Sequence, residues 1–169
     1  MSTADLTRVP EFYHGYINLV SDEDIYQAFQ NNSDKCIHFF ESLPAEKVNY
    51  KYAEGKWTIK EVLQHIIDAE RIFSYRALCF ARNEIKSLPG FDENEYANNA
   101  RVENRNWEDV LEEFKIVRKS SALLFNSFDE IQLNANGISN ENSISVLGIG
   151  YIIIGHALHH IKIIKERYL

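Results

Sequence analysis

The sequence predicts an all-α protein built as a four-helix bundle, on three observations. Glycine and proline number only 7 and 3 in 169 residues, so helix breakers are sparse. Apolar residues recur at three- and four-residue spacing over long stretches, the period of one face of a helix. Four such stretches are separated by polar connections, and four amphipathic helices bury their stripes most economically against one another. The up-down order is the simplest, and the long connections leave a crossover open.

The first helix is predicted from Asp22 to Leu43, with Ile25, Phe29, Cys36, Phe39, Phe40 and Leu43 on its apolar face and Pro44 after its end. Before it, residues 1–20 read as an extension packed on the bundle, aromatic at Phe12, Tyr13 and Tyr16. The second helix has the clearest start signal: Thr58 and Glu61 form a capping box, each side chain accepting an orphan backbone N–H. It is predicted to run to about Arg82. Val62, His65, Ala69 and Ile72 share one stripe, so His65 points inward.

Residues 83–106 form a long polar connection around Ser87-Leu88-Pro89-Gly90-Phe91, and such loops inside compact domains are functional or disordered. The third helix is predicted from Asn106 or Trp107 to about Phe128, with Val110, Leu111, Phe114, Val117, Ser121 and Leu124 inward. A second polar connection, Asn134 to Asn142, leads to the last helix, which starts near Ser143 or Ser145 and ends at Tyr168. Ile149, Ile153, His156, His160 and Ile163 form one ridge along it.

Length fits one domain, residues 1–169. Apolar residues make up 45% and charged residues 25%, ordinary globular usage. No stretch reads as a membrane span of about 20 apolar residues, and the N-terminus has no apolar signal core, so a cytoplasmic protein without a membrane partner is expected. Net charge is −7, from 18 basic and 25 acidic residues, with the basic ones scattered, which argues against nucleic acid as a partner. Cys36 and Cys79 lack a CxxC spacing and read as reduced packing residues.

The chemistry lies in the histidines. Residues four apart on a helix stand one above the other, so His156 and His160 present two imidazoles to one point. His65 is the best third ligand. A lone histidine on an apolar face is more often a hydrogen-bonded core residue, but three buried imidazoles without partners cost about 1–3 kcal/mol each, which a shared cation relieves. Three nitrogens leave a coordination position open, the pattern of catalytic metal sites.

His159 ranks second as a ligand because it lies off the ridge. His14 and His38 read as packing or surface residues. Ala157 stands where HExxH metalloproteases carry their glutamate, so ordinary zinc-protease chemistry is disfavoured. Around the site, Glu61, Asp68, Glu70 and Tyr75 mostly read as a solvated helix face. Asp92, Glu93 and Glu95 of the long connection are candidates to reach the mouth of the site.

Two segments, Lys56-Trp57-Thr58-Ile59-Lys60-Glu61-Val62-Leu63-Gln64-His65-Ile66-Ile67-Asp68-Ala69-Glu70 and Tyr151-Ile152-Ile153-Ile154-Gly155-His156-Ala157-Leu158-His159-His160, resemble the two signatures of the DinB/YfiT-like family of metalloenzymes. The loop Ser87-Leu88-Pro89-Gly90-Phe91-Asp92-Glu93 is similar too, and the likeness runs from Tyr16 to Tyr168. It implies a four-helix bundle of the DinB/YfiT type, commonly a homodimer, with a divalent metal on His65, His156 and His160. Zinc or nickel is expected, iron or manganese being the alternatives. It further implies thiol-dependent transferases and isomerases working with a low-molecular-weight thiol such as bacillithiol or mycothiol. The open metal position would activate water or a thiol, so a hydrolase or a thiol-dependent transferase acting on a small-molecule substrate is expected. The alternative is a non-catalytic metal-binding or stress-related interaction protein.

Overall fold

The structure is a computed structural model that describes residues 4–22 and 24–169. Residues 1–3 of the expected N-terminal extension, and Glu23 near the expected start of the first helix, lie outside the described residues.

Four long helices form the body: α2 (Ile25–Glu41), α3 (Ile59–Ala81), α5 (Trp107–Asn126) and α7 (Val146–Arg167). Shorter helices α1 (His14–Ile17), α4 (Glu93–Asn99) and α6 (Glu130–Leu133) decorate their connections. The starts follow from capping chemistry. Asp24 accepts from the N–H groups of Tyr26 and Gln27, which sets the start of α2 later than the expected Asp22. Thr58 Oγ1 accepts from Glu61 N at 3.1 Å while Glu61 Oε2 accepts from Thr58 N at 2.6 Å, the reciprocal box expected from the sequence. Ser145 Oγ accepts from Gly148 N at 3.0 Å and opens α7.

Two buried clusters fix how the helices run. Ile25 and Phe29 from the start of α2, Phe73 and Phe80 from the end of α3, Phe125 from the end of α5 and Ile149 to Ile154 from the first half of α7 share one. Cys36 and Phe40 from the end of α2, Ile59 to Ile67 from the start of α3, Val110 to Val117 from the start of α5 and Ala157 to Ile164 from the second half of α7 share the other. Hence α2 and α7 point one way and α3 and α5 the other. Around the bundle the order is α2, α5, α3, α7, with α2 diagonal to α3 and α5 diagonal to α7. Because α3 and α5 are parallel neighbours, connection 82–106 must return along the whole bundle. That is why it is long. Of the two arrangements the sequence left open, the fold takes the one with a crossover.

The connection carries structure of its own, including α4. The second polar connection is no plain loop either. It folds as a hairpin of β1 (Asn136–Ser139) and β2 (Asn142–Ser145), a small departure from the all-α expectation. Asn140 and Glu141 turn it, both with positive φ (47° and 63°) as two-residue hairpin turns require. The hairpin pins the crossover: Leu88 N donates to Ile138 O at 2.9 Å, and Asn140 N to Leu88 O at 3.0 Å. Gly137 of β1 lies flat against the Phe80 ring, where any side chain would collide.

Helix α7 corrects one expectation. It is long and apolar enough, by length and composition, to cross a membrane, with a mean hydropathy of 1.4 in its most apolar window. Two thirds of that window is buried within the bundle, where α7 packs against α1, α2 and α3.

Candidate metal centre

The three sequence-expected histidines meet. His65, from the first third of α3, and His156 and His160, from the middle of α7, are the one group of potential metal ligands among the described residues with donor atoms all within 4.8 Å. His156 stands between the other two. Its Nε2 is 3.0 Å from His65 Nε2 and 3.1 Å from His160 Nε2. Imidazole nitrogens bound tetrahedrally at about 2.0–2.1 Å from zinc would stand ~3.3 Å apart, so the observed spacing fits one shared cation.

Burial keeps the rings neutral and able to ligate. Desolvation pushes His65 down to about 4 and His160 to about 3, and pulls His156 well below the ordinary histidine value of 6.5, with the neighbouring imidazoles adding to the last effect. Aromatic rings fix their orientation. Trp57 lies 4.9 Å from the His65 ring, Tyr16 5.4 Å from His156 in an edge-on contact, and Phe73 6.4 Å from His156.

The histidines are not sealed in. They line a cavity of about 370 Å³ together with Tyr13, Tyr16, Trp57, Phe73, Arg76, Phe91 and Glu93, among others. Its walls come from α3, α7, the N-terminal segment and the crossover connection. The return of chain from α3 to α5 therefore walls the site.

With this geometry in place, comparison with known proteins decides the family. The model of the DinB superfamily matches residues 28–164. The chain belongs to the DinB superfamily. Its structure is similar to that of YfiT from Bacillus subtilis, described as a probable metal-dependent hydrolase with an unusual four-helix bundle topology, at a TM-score of 0.74 and 14% identity over 98% of this chain and 91% of that one. That likeness shows the four-helix bundle fold. No curated protein matches the sequence.

In this DinB-superfamily chain the other sequence candidates separate clearly. His159 turns aside, half-buried against the Tyr16 ring at 5.0 Å, and takes no part in the cluster. His14 Nε2 faces the carbonyls of Leu6 and Val9 at 3.0 and 2.9 Å and ties down the N-terminal turns. His38 is exposed, 3.4 Å from Glu41. Glu61 is spent on its capping box, Asp68 accepts from the Gln64 amide, and Tyr75 is exposed.

Glu70 corrects the solvated-face reading: it is buried and pairs with Arg118 of α5 at 2.8 Å. Of the three loop acids, Glu93 lines the cavity, Asp92 caps α4, and Glu95 lies outside the cavity lining. Cys36 is buried and Cys79 half-buried, both free thiols.

Sequence reasoning missed Arg76. Its signal was available: eleven residues beyond His65 is close to three full turns, so both side chains lie on one face of α3.

Proposed function

We propose that the protein is a metal-dependent enzyme in which His65, His156 and His160 hold a divalent cation, zinc or nickel, with iron or manganese as the alternatives. The observation that carries this reading is the placement of three neutral, converging imidazoles at the wall of an open cavity. A closed structural site would have no use for the cavity. A cation held there supplies Lewis-acid activation, bringing water to a pKa of about 7 or deprotonating a thiol outright.

The chain's own residues supply the rest. Tyr16, Trp57 and Phe73 hold the imidazole planes and form the aromatic part of a chamber that also carries polar groups and suits a small molecule. Glu93 is the carboxylate placed to exchange a proton at the cavity mouth, and its charge reaches His65 electrostatically. The reaction we infer is hydrolysis of a small molecule, or transfer to or from a low-molecular-weight thiol of the bacillithiol kind. The description of YfiT as a probable metal-dependent hydrolase supports the first branch. One domain over residues 1–169, a homodimer and a cytoplasmic location belong to the same proposal, the homodimer on family resemblance.

The test is to strip the protein with chelator, restore zinc, nickel, iron or manganese singly, and assay hydrolysis of small amides and esters beside thiol transfer. Turnover in one restored form, absent from the stripped protein and from His65→Ala, is expected. Metal-dependent stabilisation with neither turnover nor thiol binding contradicts the proposal.

A further inference from the structure

We propose that Arg76 is a carboxylate anchor, so that the cavity beside the three histidines takes a small molecule with an apolar body and one carboxylate. This rests on the reading of that cavity as the active site.

Arg76 is buried, only 4% exposed, and still lines the cavity. Arg118 is the other buried arginine among the described residues, and it pairs with Glu70, whereas no carboxylate among the described residues stands within ion-pair distance of Arg76. A desolvated cation without a counter-charge is costly, and a bound anion removes that cost.

The guanidinium is held ready. Nη2 donates to the Pro89 carbonyl at 2.8 Å, and its Cζ lies 5.7 Å and 5.9 Å from the ring centroids of Phe73 and Phe91. The Tyr13 hydroxyl accepts from the guanidinium and keeps its own O–H as a second donor for the same anion. Bonds to Pro89 and Tyr13 leave the other N–H groups of the arginine unspent, and a planar fork matches a carboxylate in bidentate fashion.

Position fits the histidines. His65, Ala69 and Arg76 share one face of α3, with Ala69 as a small floor between them. The Cα atoms of His65 and Arg76 are ~16 Å apart along the axis, and long helical side chains lean toward the N-terminus, so the guanidinium leans toward the histidines. A molecule docked by its carboxylate at Arg76 extends its body between the aromatic walls toward the metal ligands. Glu93, lining the same chamber, disfavours a second negative group.

Phenylacetate and phenylacetamide, alike in size and different in charge, separate this anchor from a merely structural arginine. Both are titrated by calorimetry into chelator-treated full-length protein, so that no cation can attract the carboxylate. Phenylacetate is expected to bind about tenfold more tightly, the worth of a charge-assisted pair. The preference should vanish in Arg76→Gln and persist, reduced, in Arg76→Lys. Added salt should weaken phenylacetate alone.

Equal affinities in the parent protein, no binding of either probe, or a preference that survives Arg76→Gln would each overturn the proposal. The parent comparison and its salt dependence stand even where Arg76→Gln fails to fold. An arginine that only holds Pro89 would lower the melting temperature on substitution and leave the ratio of the two affinities unchanged. Since no metal is present, failure of the histidine site to take up a cation would not alter this outcome.

Discussion

Gly155 and Tyr16 meet backbone to backbone: a methyl group at Gly155 would collide with the Tyr16 carbonyl, so α1 rests directly on the turn of α7 that presents His156. This contact brings the Tyr16 ring against both His156 and His159. Gly155→Ala improves helix propensity by about 1 kcal/mol and yet must push two backbones apart. A net loss of ~1–3 kcal/mol in stability is expected, because a main-chain carbonyl cannot swing aside as a side chain can. Urea denaturation measures it. An unchanged or raised stability would show that α1 does not hold this position.

Acid should destabilise the metal-free protein through the same histidines. Their folded values, about 4 for His65 and about 3 for His160, lie below the 6.5 of an unfolded histidine. Between these limits the unfolded chain binds more protons, so stability rises with pH there. The histidine contribution is complete above pH 6.5 and is lost progressively as pH falls from 6.5 towards 4 and 3. Melting temperatures of chelator-treated protein from pH 8 to pH 4.5 should drop through this window, and His65→Gln should flatten the slope. A slope unaltered by His65→Gln would assign the acid sensitivity elsewhere.

The Glu70–Arg118 pair holds α3 to α5 at side-chain exposures of 2% and 1%. Glu70 Oε1 and Arg118 Nη1 have no hydrogen-bond partner among the described residues, so the pair is imperfectly satisfied. Glu70→Gln should cost about 3–5 kcal/mol, since it strands a buried guanidinium. The double replacement Glu70→Leu with Arg118→Met should be near neutral or stabilising. Denaturant midpoints of the three proteins check this. A double variant no more stable than the single one would make the pair a true source of stability.

Much of the metal site was legible because it rests on short-range periodicity. His156 and His160 lie four apart, Thr58 and Glu61 announce where α3 begins, and His65 interrupts an apolar stripe. Those signals are local, and the helices obey them. What the sequence hid depends on long-range pairing. The parallel course of α3 and α5, which makes connection 82–106 a wall of the cavity, is decided by which helix halves share a core. The β1–β2 hairpin escaped notice because Asn140-Glu141 turns it in place of the usual Asn-Gly, with Glu141 held at positive φ. Glu70 read as an ordinary solvated charge, and only its juxtaposition with Arg118 across two helices explains its burial.

X-ray absorption of the zinc- or nickel-loaded protein tests the central claim most directly. Three imidazole nitrogens at about 2.0–2.1 Å in the zinc form are expected, with uptake of one metal per chain and with ligation lost in His65→Ala, His156→Ala and His160→Ala alike. A bound metal with fewer than three imidazoles, or one retained unchanged when His65 is removed, would contradict it.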